Sequence, residues 1–517
     1  MRAAGGPRVS VVLLPGGDAD ASLHSLGTQT LGAWELIECG SEGELADEVN
    51  YALSRASGDY VAFLDGGDLL HPEALERALD RGRDPAVDIV YTDEDQVGPD
   101  GRAEPFFKPD WSPERLLGHN YLGRLALLRH GLVDDVGGVR PDAGDAWEYD
   151  LILRATHAAR QIEHVTKPCY RRRSNGAAPT PTQLEATRQA LDRHLARRGL
   201  AATAEPGPDR QTFRVRPQLV DTPRVSVIIP AGGSLRRING ETVDLVSNCV
   251  ESIVRESTYE NYEIVAVLDD AVGPGTRTRL EAAAGDRLHV VPYQEPFNFS
   301  RKINLGTLHA TGDVLILLND DTAVLDPDWM EAMLVFAQDP HVGAVGAILR
   351  FADRRYQHTG VVIIDGDPGH PYYGFPPDFA GYRDNLRVPA NYLAVTAACL
   401  MMRRSVFMEV GGLSTSFPAN YNDVDLCLKL RRAGYRVVCT PEAQLFHYES
   451  SSRGVGAVAD DEMERLHNRW ASDLRRDPYY SPHFLPSANF QVPVVPTDQT
   501  IGGLDDPATR ASWWWPA

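Results

Sequence analysis

Short apolar runs rich in branched residues alternate along most of the chain with stretches of helical periodicity. Runs such as residues 225–230, VSVIIP, stop at proline or glycine and have the length of strands buried on both faces. Between such runs, stretches such as residues 184–199 space their apolar residues as a helix does and end at glycine. The alternation predicts an α/β fold with mostly parallel sheets.

The pattern occurs twice. GDYVAFLDGGD at residues 58–68 matches GDVLILLNDDT at 312–322, and LLRHGLVDDVGG at 127–138 matches MMRRSVFMEVGG at 401–412. In both copies a helix-compatible stretch precedes the Gly-Asp pair and a buried strand follows it. The repeat therefore predicts two tandem domains of one fold.

The repeat and the composition of the connecting segments set the expected domain boundaries. We expect a first domain at residues 1–173, a linker with a helix at 174–223, a second domain at 224–484 and a proline-rich tail at 485–517. Clusters of proline, glycine and polar residues, SNGAAPTPTQ and AEPGPDR, mark the linker.

The composition limits the partners and the cellular location that we expect for this protein. A net charge of −21 argues against nucleic acid as a partner. The six cysteines include no C-x-x-C pair and fit reduced core thiols, with no metal framework. The first apolar run is too short for a signal peptide, and no run approaches the roughly 18 residues that span a bilayer. We expect a cytoplasmic protein, and a peripheral contact with the inner face of the cell membrane stays open.

Polar residues with metal-ligand chemistry follow one apolar run of the second repeat, in the order Asn319, Asp320, Asp321. Ligands bind at such strand ends in α/β sheets, and carboxylates there suit Mg²⁺ or Mn²⁺. Alone, these residues are more often a turn. Further candidates occur downstream, and together they indicate a metal, a base and a diphosphate clamp. They are Asp423, His447 and Arg453.

Seven motifs between about residues 224 and 455 appear in a characteristic order. They are VSVIIP, YEIVAVLDD, PFNFSRKINLGTLHATGDVLILLNDDT, YQHTGVVI, AVTAACLMMRR, NDVDLCLKLRRAGYRVV and H-x-E-S-x-S-R-G. The series resembles the family 2 glycosyltransferases of GT-A fold, and more narrowly bacterial rhamnosyltransferase-like and O-antigen-type enzymes. The resemblance implies inverting, metal-dependent transfer of a hexosyl or deoxyhexosyl group from a nucleotide sugar, UDP- or dTDP-linked. The implied acceptor is a hydroxyl of a glycan, a lipid-linked molecule or a small molecule.

The resemblance also assigns roles to individual residues. It implies that Asp423 is the catalytic base and that Asp321 and His447 hold Mn²⁺ or Mg²⁺. The residues it implies in nucleotide-sugar binding are Pro230, Asp269, Asn304, Asp320 and Arg453. For Asn304 a structural role stays open, because Asn50 occupies the matching place in the first repeat.

The first repeat resembles the same family but departs from it at the metal position. Gly67 stands where the second repeat has Asp321, and Glu148 stands where it has Asp423. At nearly the spacing that leads to His447, the first repeat has Arg171, whose positive charge would repel a divalent cation. We expect a catalytically degenerate first domain. A metal-independent diphosphate site at residues 171–173 is the alternative.

Other functions stay open at this point. Both domains could be active, or the chain could be a non-catalytic glycan-binding scaffold, although a scaffold has no need of the full set of candidate residues. A nucleotidyltransferase or phosphotransferase is disfavoured because the sequence has no P-loop. The aromatic segment HPYYGFPPDFAGY, residues 370–382, is either a sugar-stacking loop or a packed loop.

Overall fold

The computed structural model describes residues 8–98, 103–173, 178–207, 212–219, 221–238, 240–448, 460–487 and 489–492. These residues form two compact units. The described residues up to Arg198, with Ala204–Phe213, belong to the first unit, and Gly199–Thr203 with Arg214–Gln491 belong to the second.

The first unit alternates strands with helices. Its strands are β1 (Val9–Leu14), β2 (Trp34–Glu38), β3 (Tyr60–Asp65), β4 (Leu69–Leu70), β5 (Val87–Val97), β6 (Ala103–Phe106), β7 (Ala126–Arg129) and β8 (Gln161–Arg173). Its helices are α1 (Ala19–Gly27), α2 (Leu45–Arg55), α3 (Ala74–Arg81), α4 (Pro113–Leu116), α5 (His130–Asp135), α6 (Trp147–Ala158) and α7 (Pro181–Arg197), with a 3₁₀ segment at Pro141–Ala146. Two strands, β9 (Ala202–Pro206) and β10 (Phe213–Pro217), lie where the chain passes from the first unit to the second.

The second unit repeats the alternation with more strands. Its strands are β11 (Val225–Ala231), β12 (Leu235–Ile238), β13 (Glu241–Asp244), β14 (Tyr262–Asp269), β15 (Leu288–Tyr293), β16 (Val314–Leu318), β17 (Thr322–Val324), β18 (Val342–Arg350), β19 (Tyr356–His358), β20 (Val362–Ile364), β21 (Asp367–Gly369), β22 (Ala390–Asn391), β23 (Cys399–Arg403) and β24 (Arg436–His447). Its helices are α8 (Leu245–Glu256), α9 (Pro274–Ala284), α10 (Phe299–His309), α11 (Trp329–Ala337), α12 (Arg404–Glu409), α13 (Asn422–Arg432) and α14 (Asp460–Trp470), with 3₁₀ segments at Gly285–Arg287 and Tyr382–Asp384.

The two large sheets share one strand order. It runs β2-β1-β3-β7-β5-β8-β4 in the first unit and β14-β11-β16-β23-β18-β24-β17 in the second, where β15 adds an outer strand. The prediction of two tandem α/β domains is confirmed. Both sheets are mixed rather than mostly parallel, because β7 and β23 run antiparallel to both of their neighbours. Two of the fully buried apolar runs, β11 and β16, pair with each other in parallel.

The Gly-Asp pair that opens each repeat has a packing reason. The Ser226 hydroxyl accepts a hydrogen bond from the Gly312 N–H at 2.8 Å. A Cβ atom on Gly312 would lie 2.5 Å from the carbonyl oxygen of Arg224, so only glycine fits. Ser10 and Gly58 repeat the hydrogen bond in the first unit, also at 2.8 Å. The repeat is therefore preserved at the level of single buried contacts.

Two findings concern the cysteines and the length of the apolar helices. All six cysteines are free, and five of them are buried, in agreement with the expectation of reduced core thiols. Among the residues that the structure describes, no helix is both long and apolar enough to cross a membrane.

Candidate active site

Strand pairing brings the two expected metal ligands together. After β16 the chain passes through Asp321 into β17, which pairs antiparallel with the end of β24, so that Thr322 lies opposite His447. The Asp321 side chain is buried, and its Oδ1 lies 3.1 Å from Nε2 of His447. Two residues far apart in sequence thus meet at the carboxyl end of a central strand, where α/β sheets bind ligands.

Two amide side chains orient the His447 ring. Nδ1 lies 2.9 Å from Oε1 of Gln357, and Nε2 lies 3.3 Å from Nδ2 of Asn319. A carbonyl oxygen only accepts a hydrogen bond and an amide nitrogen only donates one. Both contacts therefore favour the tautomer with hydrogen on Nδ1, in which the lone pair of Nε2 faces the Asp321 side.

The donor set fits a divalent cation. A carboxylate oxygen and an imidazole lone pair at 3.1 Å repel each other unless a proton or a cation lies between them. Neighbouring ligands of an octahedral Mg²⁺ or Mn²⁺ lie about 3 Å apart. Carboxylate oxygens suit both ions, and the neutral imidazole is the commonest metal ligand in proteins. In the described part of the chain no group of three or more ligating side chains is present. Asp321 and His447 would therefore hold the ion together with oxygen atoms from substrate or water.

The neighbouring carboxylate adds to the negative charge at this point. Burial and the charge of Asp321 raise the pKa of Asp320 to about 7, against the opposing effects of a hydrogen bond from Gly232 and the positive charge of Lys302. Adjacent carboxylates of this kind cannot both ionise cheaply without a cation. The electrostatics of the strand end thus agree with its donor chemistry.

One short loop connects Asp423 to the same edge. Asp423 is half-buried in the first turn of α13, and its Oδ2 accepts a hydrogen bond from the Ala397 N–H at 3.1 Å. The next residue, Ala398, accepts a hydrogen bond from the Asn319 N–H at 3.1 Å. Consecutive loop residues therefore contact the expected base and the strand end that carries Asp321.

Helix α14 holds the segment that leads to Asp423 through hydrogen bonds. Glu462 on α14 is 2% exposed, and its carboxylate accepts hydrogen bonds from Ala419 N at 3.0 Å and Asn420 Nδ2 at 2.7 Å. Tyr421 follows with a left-handed backbone, at a φ of +56°, and α13 begins next. Sequence reasoning missed Glu462, because a lone glutamate in an amphipathic helix gives no signal of a distant partner.

A buried lysine holds Asp269. Nζ of Lys302 lies 2.6 Å from Oδ1 of Asp269 and donates to the carbonyl oxygen of Ala231 at 3.2 Å. Lys302 is 1% exposed, and Pro230 precedes Ala231 in β11. The structure thus groups the end of β11, Asp269 and Lys302. Lys302 lies in the motif PFNFSRKIN and has no role predicted from the sequence; a lysine inside a partly apolar helix is the available signal.

Two other expected nucleotide-sugar contacts have different outcomes. The Asn304 amide donates to the carbonyl of Leu413 at 2.8 Å and accepts from its N–H at 3.0 Å. Asn50 makes the same pair of hydrogen bonds with Val139 in the first unit. These contacts favour the structural role for Asn304 that stayed open above. Arg453 lies outside the described residues, and its diphosphate contact stays a prediction.

The aromatic segment is largely a packed loop. Tyr372 is fully buried and stacks on Phe490 with ring centroids 5.4 Å apart. Phe375 and Phe379 pack against it at 5.6 and 5.5 Å. Tyr373, in contrast, is 51% exposed, so of the adjacent pair Tyr372 and Tyr373 it is Tyr373 that presents a ring that a sugar could reach.

The equivalent place in the first unit holds a fixed arginine. Gly67 has no side chain and a φ of +97°. Nε of Arg124 lies 2.6 Å from Oδ2 of Asp65, and its NH1 lies 2.5 Å from Oε2 of Glu148. When the two repeats are aligned without a gap through residues 127–138, Arg124 corresponds to Ala398 of the second unit. An internal cation therefore already neutralises the remaining carboxylates.

The strand register corrects one expected counterpart. Arg171 pairs with Leu69 in β4, whereas His447 pairs with Thr322, which corresponds to Asp68. The residue at the position of His447 is therefore Arg172. Neighbouring strand residues face opposite sides of a sheet, and Arg171 instead lies 3.2 Å from Asp95. Arg172 lies 24 residues after Glu148, the same step as from Asp423 to His447, whereas Arg171 lies 23 residues after it. A guanidinium replaces the imidazole in either case.

The first unit also lacks the lysine of the second. Lys302 precedes Asn304 by two residues, and the residue two before Asn50 is Glu48. The Glu48 carboxylate accepts a hydrogen bond from the Gly43 N–H at 3.1 Å. The charge at this position is therefore reversed between the two units.

Comparison with known proteins agrees with the repeat. The family profile described as glycosyl transferase family 2 matches residues 30–137 and 226–411. The chain is 37% identical over 470 residues to the uncharacterized protein y4gI of Sinorhizobium fredii, covering 87% of this chain and 51% of that protein. It is 35% identical over 469 residues to the O-antigen biosynthesis protein RfbC of Myxococcus xanthus, covering 88% and 36%. The chain thus spans about half, or less, of these relatives.

Shorter and more distant similarities also occur. The chain is 28% identical over 155 residues to an N-acetylglucosaminyl-diphospho-decaprenol L-rhamnosyltransferase of Mycobacterium tuberculosis, covering 28% of this chain and 49% of that protein. Among solved structures, the mannosyltransferase PcManGT of Pyrobaculum calidifontis, in complex with GDP-Man and Mn²⁺, is 19% identical with a TM-score of 0.34, covering 51% and 68% of the two chains. GalNAc-T7 with UDP, GalNAc and Mn²⁺ is 13% identical with a TM-score of 0.41, covering 57% and 58%.

Proposed function

The chain belongs to the family 2 glycosyltransferases, and from this premise we propose that its second unit is an inverting, metal-dependent catalytic domain. The proposed reaction moves a sugar from a nucleoside diphosphate to an acceptor hydroxyl. The proposal rests on the 3.1 Å distance between Oδ1 of Asp321 and Nε2 of His447. A hydrogen bond also links the Asp423 side chain to the loop at this edge of the sheet.

Asp423 acts as the general base. Its carboxylate takes the proton of the acceptor hydroxyl while that oxygen attacks the anomeric carbon and the bond to the diphosphate breaks. The N–H groups of Ala397 and Val424 each occupy one site on a carboxylate oxygen, at 3.1 and 2.8 Å, and so orient it. Each oxygen keeps a second lone pair for the proton. A single displacement from the face opposite the leaving group inverts the anomeric centre.

Other residues bind and orient the donor. A divalent cation held by Asp321 and His447 would neutralise the leaving diphosphate when bound. Lys302 fixes the Asp269 carboxylate, which we assign to the nucleoside, and Arg453 is proposed for the diphosphate. The donor is proposed to be UDP- or dTDP-linked.

The first unit is proposed to be non-catalytic. Gly67 cannot ligate a metal, and Arg124 occupies Asp65 and Glu148. An arginine at such a site stays charged at any relevant pH, so the carboxylates cannot be freed by titration of their partner. Folding support, acceptor binding or docking are the roles that this leaves for the first unit.

The acceptor is proposed to be a polysaccharide precursor, including one carried on a lipid. This proposal is supported by the names of two relatives, an O-antigen biosynthesis protein and a rhamnosyltransferase acting on a decaprenol-linked sugar. Since the chain covers only part of each relative, the activity of the whole relative is not transferred to it.

Release of nucleoside diphosphate from a panel of nucleotide sugars tests the proposal. Release should require Mn²⁺ or Mg²⁺, stop on addition of EDTA, and be lost in His447→Ala. NMR of the product should show the anomeric configuration opposite to that of the donor. Full activity in EDTA, or a product of retained configuration, would contradict the proposed mechanism.

A further inference from the structure

Gln357 contacts His447 on the side of the ring away from Asp321. It is 4% exposed, lies in the middle of β19, and its Oε1 is 2.9 Å from Nδ1 of His447. Resting on the proposed function, we propose that Gln357 is the positioning residue that prepares His447 as a metal ligand. No role was assigned to it from the sequence, although it belongs to the motif YQHTGVVI.

The chemistry of the contact sets the tautomer. A neutral imidazole carries one hydrogen, and Oε1 of Gln357 only accepts, so the hydrogen is held on Nδ1. Nε2 then carries the lone pair, and it lies 3.1 Å from Oδ1 of Asp321 and 3.3 Å from Nδ2 of Asn319. Metal-ligating histidines generally donate their other N–H to such an acceptor, which fixes both tautomer and ring orientation.

The backbone around Gln357 makes its side chain a fixed acceptor. The preceding Tyr356 is hydrogen-bonded to the backbone of Phe375 at 2.9 Å and of Gly374 at 2.7 Å. The following His358 is buried, and its Nε2 accepts from the N–H of Thr396 at 3.3 Å. Because strand side chains alternate, anchoring both neighbours directs Gln357 to the opposite face.

A neutral amide suits a site that is already rich in negative charge. Asp320 and Asp321 lie next to each other, and a third carboxylate would add to their mutual repulsion. Gln357 supplies orientation without charge. A carboxylate at this position would still accept from Nδ1, so Gln357→Glu should keep the function of the contact and make the imidazole a more basic ligand.

The test is the affinity of the full-length protein for Mn²⁺ alone, measured from the loss of the free Mn²⁺ signal in electron paramagnetic resonance. Gln357→Leu should weaken binding by about 10–100-fold. Gln357→Glu should bind at least as tightly as the wild type. Gln444→Leu is the matched control. Gln444 lies on β24 and accepts a hydrogen bond from Nε of Arg350 at 2.9 Å, so this variant should leave the affinity for Mn²⁺ unchanged.

A spectroscopic signature separates positioning from general destabilisation. In the wild type, the electron spin of bound Mn²⁺ should couple to the nuclear spin of an imidazole nitrogen. This coupling should be lost or weakened in Gln357→Leu but retained in Gln357→Glu. If Gln357→Leu does not fold, Gln357→Asn replaces it; its carbonyl is one methylene short, so the same weakening is expected.

The outcomes distinguish this proposal from the proposed function. If Asp321→Ala loses Mn²⁺ while Gln357→Leu, or Gln357→Asn in its place, binds within about twofold of the wild type, Gln357 has no positioning role although the metal centre stands. An equal loss in Gln444→Leu would also overturn the proposal. A wild type that binds no Mn²⁺ would instead refute the metal centre itself.

Discussion

Replacing Asp423 by asparagine removes the proposed base and little else. The variant keeps the shape of the side chain, but one oxygen becomes an NH₂ group. The amide oxygen can still accept from the Ala397 or the Val424 N–H, which lie 3.1 and 2.8 Å from the two carboxylate oxygens, but not from both. These two backbone groups are the hydrogen-bond partners of the Asp423 side chain. The substitution should therefore leave the positions of Asp321 and His447 unchanged.

The expected loss is in turnover. General base catalysis typically contributes about 10²–10⁴-fold, equivalent to about 3–5 kcal/mol of transition-state stabilisation. We therefore expect kcat to fall by that factor. The donor KM and the Mn²⁺ affinity should change by no more than about twofold, because the lost interaction develops only in the transition state.

The assay is steady-state release of nucleoside diphosphate, together with Mn²⁺ binding on the same preparation. Asp425→Asn is the control from the same helix. Asp425 is fully buried and bonds Trp470 at 2.9 Å and Arg469 at 3.1 Å, so its loss should lower stability while the folded enzyme still turns over. An Asp423→Asn enzyme with more than about one tenth of wild-type kcat would refute the base assignment.

Three further variants test other parts of the account. Lys302→Met removes the positive charge 2.6 Å from Asp269 and should weaken UDP binding by about 10–100-fold in calorimetry. An unchanged affinity for UDP would refute a role of the Lys302–Asp269 ion pair in nucleotide binding. Glu462→Gln keeps only one acceptor oxygen, so it cannot accept from both Ala419 N and Asn420 Nδ2, and it should lower kcat by about tenfold or more with Mn²⁺ binding intact; a fall in Mn²⁺ affinity alone would contradict this. Glu148→Gln should leave transfer within about twofold while lowering the free energy of unfolding by about 1–3 kcal/mol, as urea denaturation would measure; lost transfer would mean that the first unit is active.

The sequence supported prediction where structure is local and periodic. Apolar runs ended by proline or glycine, and their repetition, were enough to predict two α/β units, because strand and helix periodicities depend on neighbours in sequence. The pairing of Asp321 with His447 came from the resemblance. It could not have come from spacing alone, because β17 and β24 meet only in the folded sheet.

What the sequence could not provide were contacts between distant side chains. Arg124 lies in a loop, and nothing near it in sequence indicates that it bridges Asp65 and Glu148. Gln357 and Glu462 are equally uninformative in isolation, because their partners come from other elements. The assignment of Arg171 failed by one residue, and since strand side chains alternate with period two, that single step places the side chain on the other face.

We expect the chain to have one working centre, in its second unit. Calorimetric titration of UDP and dTDP into the full-length protein, with and without Mn²⁺, tests it most directly when wild type is compared with Asp321→Ala. The titration should show a single site that depends on Mn²⁺ and is lost in the variant. Two sites in the wild type, or one site indifferent to Asp321, would mean that the first unit binds nucleotide and would contradict the claim.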